Sequence, residues 1–304
     1  MKVENSILKV ILYFDIFNYP VSLSEIRLFL DQYVQEYDLV KALQVLLDEH
    51  YIFKLDEFYS AKNDYSLVQK RRICNHKAQD LLKIAYKISA FLYNFPYVRG
   101  IGISGSLSKN VADEDADIDF FVITKSNRLW IARTIMHLFK KLTFLVGRQH
   151  WFCMNYFVDE DALQIEEKNI FTASELVTLL PICGNGSVKN FFEANDWVYT
   201  YYPNQFWRTS YLKNKKSSGW FKRGVEHVLN NRLGDRLDDF FLKLTTNRWN
   251  KKEARMKLNR KGGPMSLKTG KHFSKPNPVY FQEKILELYL NKLNKMPGKN
   301  MVSN

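Results

Sequence analysis

Two aspartates one residue apart, Asp117 and Asp119, sit in a hydrophobic run with Ile118, Phe120, Phe121, Val122 and Ile123. Alternate residues of a β-strand share a face, so a strand here aims both carboxylates the same way. An element this apolar is expected to be buried, and two like charges side by side in a buried place are costly unless something positive holds them. A divalent cation suits them, because Mg²⁺ takes hard oxygen ligands. Earlier in the chain, Ser104-Gly105-Ser106 follows a second apolar stretch, residues 98–103. Glycine permits a tight turn and close backbone approach, and free N–H groups at the start of a following helix form a phosphate cradle. Ser106 adds a hydroxyl and Lys109 a cation. A phosphate cradle facing a metal-binding carboxylate pair is a layout for phosphoryl transfer. The plainer alternative has Asp115 and Asp117 capping a turn and Asp119 in a structural salt bridge. The β-favouring residues after Asp119 place it in a strand instead.

Gly105-Ser106, ten residues, then Asp117-Ile118-Asp119 resembles the DNA polymerase beta-like nucleotidyltransferase superfamily. The resemblance spans residues 98–158. It implies an α+β fold whose core is a short mixed sheet with flanking helices. It further implies Mg²⁺ or Mn²⁺ on Asp117 and Asp119, with the phosphates of an NTP, ATP first among them, on Gly105, Ser106 and Lys109. The acceptor hydroxyl would belong to an RNA end, a small hydroxylated molecule or a protein side chain. Members of this superfamily often carry a third carboxylate on the next strand. Here the hydrophobic context of residues 150–158 places that role at Asn155, and asparagine is neither a general base nor an anionic ligand. Three functions therefore stay open. One is metal-dependent transfer of NMP from NTP to an acceptor. Another is a nucleotide-binding regulator or scaffold that has lost the chemistry. The third is a nucleic-acid-binding protein that uses a basic C-terminal region.

The surrounding elements divide into three regions. Residues 1–62 read as a winged-helix-like module: helices over 6–17, from Ser22 and over 38–50, then a hairpin over 51–60. Ser22 and Glu25 have capping-box spacing. This region carries more acid than base, with 5 Lys and Arg against 10 Asp and Glu over residues 1–60, which argues against DNA binding and for a packing or protein-contact role. Residues 63–202 read as the core. A long amphipathic helix carrying Arg71 and Arg72 leads into it, either on a solvated face or toward a triphosphate. A helix over 128–146 ends at Gly147, and Thr172 with Glu175 form a second capping-box pattern before a helix over 170–180. Residues 203–304 read as basic and mainly helical, with a basic stretch over 251–261. A loop there carries Lys271, His272 and Lys275, which could reach phosphates or the acceptor.

Composition sets outer limits. The chain has 304 residues, 46% of them hydrophobic, which fits a folded protein with a sizeable core. Its net charge of +13 comes almost wholly from residues 208–304, with 23 Lys and Arg against 7 Asp and Glu. An anionic acceptor would dock there. No run approaches the ~18 apolar residues of a membrane span. The polar, charge-broken start is not read as a signal peptide. Three widely spaced cysteines, Cys74, Cys153 and Cys183, favour neither a disulfide framework nor a zinc site, and a reducing cytoplasm is the expected setting.

Overall fold

The computed structural model describes residues 2–114, 116–143, 151–209, 219–255, 267–276 and 279–296. Asp115, the expected helix end at Gly147 and much of the basic stretch over 251–261 lie outside the described residues. The fold is mixed α and β.

The chain opens with α1 (Lys2–Asp15), whose apolar face carries Ile7, Val10, Ile11 and Phe14. A short strand β1 (Val21–Ser22) precedes α2 (Leu23–Phe29). The expected capping box closes the start of α2: the Glu25 N–H donates to Ser22 Oγ at 3.3 Å, and the Ser22 N–H donates to the Glu25 carboxylate at 2.8 Å. Next come α3 (Glu36–Asp48), β2 (Phe53–Leu55) and β3 (Phe58–Ser60). β1 adds to the expected hairpin, giving a small antiparallel sheet in the order β1-β3-β2. The long helix α4 (Ser66–Leu92) is locked to this module by Arg71, which is buried rather than solvated. Its guanidinium donates to both Glu25 oxygens at 2.8 and 2.9 Å and lies 4.2 and 4.0 Å over the rings of Tyr19 and Phe58. Bidentate pairing and ring stacking suit arginine. Arg72 pairs with Asp56 and Glu57, so neither arginine meets a phosphate site.

The central sheet has six strands in the order β7-β4-β5-β6-β9-β8. Its middle consists of β4 (Val98–Ser104), β5 (Asp119–Thr124) and β6 (Cys153–Asp159), with β4 antiparallel and β6 parallel to β5. The one-turn helix α5 (Gly105–Ser108) follows β4, and α6 (Leu129–Thr143) connects β5 to β6. Residues on β5 alternate between two cores: Phe120 and Val122 pack toward α4 and α6, while Phe121 and Ile123 pack toward α1, α7 (Ile170–Thr178) and α8 (Asn185–Ala194). A sheet covered on both faces explains why the strand reads as a continuous apolar run. At the start of α6, the Ile131 N–H donates to Asp238 at 2.8 Å, a cap reaching in from a distant helix that local sequence does not show.

The expected helix over 170–180 stops at Thr178, and Leu180–Cys183 forms the edge strand β7. Pro181 is tolerated because edge strands need fewer donors. Gly184 follows at φ 101°, and a Cβ there would lie 2.1 Å from the Arg99 carbonyl, so only glycine fits.

The last third is not a separate helical unit. Besides α9 (Trp220–Leu229), α10 (Arg232–Ala254) and α11 (Val279–Asn294), it contributes β8 (Leu267–Thr269) and β9 (Phe273–Pro276). β9 pairs with β6, so the boundary expected near residue 203 does not divide the sheet. The first and last described helices meet: Tyr13 of α1 and Tyr289 of α11 pack edge to face at 5.4 Å, and Lys292 bridges to buried Asp15 at 2.5 Å. No helix among the described residues is long and apolar enough to cross a membrane.

Candidate functional site

The two halves of the sequence motif meet across one pair of antiparallel strands. Ser104 at the end of β4 is in register with Asp119 at the start of β5, and the Ser104 hydroxyl donates to the Asp119 carbonyl at 3.3 Å. Asp117 lies just before the strand rather than on it. Gly105 turns at φ 69°, and a Cβ there would stand 2.6 Å from Asp119 Oδ2. Glycine is therefore needed twice, for left-handed backbone and for the approach of a carboxylate. Lys109 donates to the Gly105 carbonyl at 3.2 Å and to Glu175 at 2.8 Å, and Ser106 lines the same cavity.

Asp119 lines that cavity and a smaller one beside it. Burial, followed by the charge of Asp117, pushes its carboxyl up to about 6; the nearby charge of Glu175 adds to the rise, and a hydrogen bond with Cys153 opposes it. Cys153 is the residue of β6 in register with Asp119. At Asn155, the expected third-acid position, the register of β6 shifts: Met154 pairs with Phe120 and Tyr156 with Phe121. The side chain of Asn155 lies outside the described residues. Burial and the charge of Asp119 push the Cys153 thiol up to about 12, so it keeps its proton and serves as a donor rather than a nucleophile.

An acid that faces Asp119 comes from another element. Glu175 lies on α7, and α7 is capped by Asn169, whose side chain accepts the Thr172 N–H at 3.0 Å. The expected Thr172–Glu175 capping box does not form, and Glu175 lines two cavities together with Gly105 and Asp119. The larger cavity, about 420 Å³, falls in the size range of small-molecule sites, roughly 300–1,000 Å³. Its far wall is aromatic and belongs largely to the N-terminal module: Tyr13, Phe14, Phe17, Tyr19 and Phe29. That module was expected only to pack or to contact a protein. The smaller cavity, about 210 Å³, includes Lys275, Tyr156 and Glu167.

The three expected loop contacts separate. Lys275 reaches the Asp119 side of the sheet and is held by Glu167. Lys271 pairs with Asp239 at 3.0 Å, and His272 meets buried Asp159 at 2.9 Å. Asp159 is in register with Thr124, at the opposite end of β5 from Asp119. Asp159, Asp161 and His272 are close enough together to hold a metal ion, but their oxygens already bind the protein. Asp159 accepts the N–H groups of Asn127 and Asp161, each at 3.0 Å. Asp161 accepts from Ser126 at 2.7 Å and from the Asn127 amide at 2.9 Å. This corner ties the β5–α6 turn to the β8–β9 hairpin.

At the other end of β5, Asp117 and Asp119 are the residues that would hold a divalent ion. Mg²⁺ is commonly held by one or two carboxylates together with substrate phosphates and water, and the burial and the repulsion from Asp117 that raise Asp119 are what a cation would offset. The chain matches no family model, no curated protein and no solved structure.

Proposed function

We propose that the protein is a metal-dependent nucleotidyltransferase of the DNA polymerase beta-like kind, moving NMP from an NTP to an acceptor hydroxyl. The observation that carries this reading is the approach of Gly105 to Asp119 across β4 and β5, with only 2.6 Å available to a Cβ, at the wall of a ligand-sized cavity. In this reading residues 1–62 are the winged-helix-like module and supply the aromatic wall. Asp117 and Asp119 hold Mg²⁺ or Mn²⁺, which when bound neutralises charge on the attacked phosphate. Gly105, Ser106 and Lys109 hold the β- and γ-phosphates. The acceptor oxygen bonds to the α-phosphorus, the bond from that phosphorus to the bridging oxygen breaks, and pyrophosphate leaves. Glu175 takes the hydroxyl proton, filling the role that Asn155 and Cys153 cannot.

Calorimetric titration with ATP, with and without Mg²⁺, tests the site. Binding should depend on metal and vanish in Asp117→Ala/Asp119→Ala; absent binding, or binding indifferent to the substitutions, would refute it. A second reading, a nucleotide-binding regulator without turnover, is favoured by Cys153 standing in register with Asp119 and by Glu175 being engaged with Lys109. It predicts the same metal-dependent ATP binding with no pyrophosphate release in the presence of any acceptor.

A further inference from the structure

Adjacent helices α9 and α10 each expose apolar and basic side chains close together. Leu233, Phe240 and Leu244 on α10 are 61%, 56% and 54% exposed. At ~100° per residue they fall within about 40° of one another around the helix, forming one stripe. Arg236 and Lys243 flank the stripe on one side and Arg248 on the other, all exposed. These three cations make no ion pair among the described residues. On α9, Trp220 is 81% and Val228 62% exposed, beside exposed Arg223.

Apart from exposed Glu253 near the end of α10, the acids of the same helices are engaged with the protein. Glu226 takes Arg99 at 2.9 and 3.0 Å, Asp235 takes Arg128 at 2.5 Å, Asp238 caps α6 and Asp239 takes Lys271. The one buried lysine of α9, Lys222, points inward and donates to the Tyr93 and Val98 carbonyls at 3.0 and 2.7 Å. The fold thus leaves bulky apolar groups and unneutralised cations facing outward together.

We propose that this face docks the protein on an anionic lipid membrane. Aromatic and aliphatic side chains interleaved with arginine and lysine match the boundary between headgroups and acyl chains, where apolar burial and attraction to anionic lipid add. Nucleic acid would use the cations, but its phosphates offer nothing to Val228, Leu233 or Leu244. A second copy of the chain would bring like charges together. The docking is peripheral and adds a location to the proposed transfer activity without depending on it.

The test is sedimentation of the full chain with vesicles of phosphatidylcholine alone and of phosphatidylcholine mixed with phosphatidylglycerol. The unsubstituted protein should bind only the mixed vesicles, and less so as salt rises. Arg236→Ala/Lys243→Ala should lower partitioning roughly 25-fold, about fivefold for each cation, and Phe240→Ser/Leu244→Ser should abolish it. Because all four positions are exposed, both variants should unfold as the parent does. Trp220 gives a readout independent of either variant: its fluorescence should shift to the blue on mixed vesicles, and Trp220→Phe should remove that shift. Absence of binding to mixed vesicles, or binding that neither double variant weakens, overturns the proposal. So does binding to an oligoribonucleotide that the charge variant loses while vesicles are ignored, which would make this a nucleic-acid face.

Discussion

Replacing Asp119 by asparagine should make the metal-free protein more stable, in a manner that depends on pH. In the folded chain this carboxyl titrates at about 6, against 3.8 for an unperturbed aspartate. A raised carboxyl favours the protonated folded state, so its penalty is absent below the unfolded value, grows as pH rises between 3.8 and about 6, and is complete above that. At ~1.4 kcal/mol for each tenfold change in proton affinity, the full penalty is up to ~3 kcal/mol near pH 8 and about half that near pH 5. Asp119→Asn keeps the shape and removes the charge, so it should recover most of this at about pH 8 and less at about pH 5. The assay is urea unfolding across this pH window in chelator-treated buffer, comparing the midpoints of parent and variant. Adding Mg²⁺ should stabilise the parent and leave the variant unchanged. A variant no more stable than the parent at high pH, or equally stabilised at both pH values, would mean that burial and Asp117 do not raise the Asp119 carboxyl.

Other substitutions probe the same site and its supports. Gly105→Ala places a methyl against Asp119 in left-handed backbone and should cost ~1–3 kcal/mol of stability and abolish ATP binding, read by denaturant unfolding and calorimetry. Glu175→Gln keeps an acceptor for Lys109 but cannot take a proton; pyrophosphate release should fall ~10²–10⁴-fold while ATP affinity changes little. Arg71→Met leaves Glu25 half-buried without its partner and should destabilise the fold by ~3–5 kcal/mol, seen as a lower denaturation midpoint.

The sequence carried the parts of the fold that depend on near neighbours. The apolar run of β5, the capping box at Ser22 and Glu25 and the glycine turn at Gly105 are each set by residues a few positions apart and are each legible, although β5 begins at Asp119 and leaves Asp117 just before it. What was illegible depends on partners far along the chain. β7 hides behind Pro181 because only its edge position makes a proline tolerable there. β9 pairs with β6 across more than a hundred residues, and the segment alone reads as a basic loop. Arg71 looks like a surface cation until Glu25, Tyr19 and Phe58 are folded around it.

Glu175 shows how a correct local rule can conceal a site residue. Thr172 and Glu175 have the spacing of a capping box, and an acid three residues after a threonine is readily assigned to the helix start. Three residues upstream, however, Asn169 is the better cap by rank, and its side chain takes the Thr172 N–H. Once the helix start is satisfied there, Glu175 lies a full turn in and is free to project toward Gly105 and Lys109. The acid that sequence reasoning sought on β6, by analogy with a strand-borne triad, is thus brought to Asp119 by a helix. Its position follows from where α7 begins, and α7 begins where it does because of one asparagine. A competing cap within one turn upstream is the signal that could have exposed it: wherever two caps compete, the acid of the losing pattern becomes available for other work.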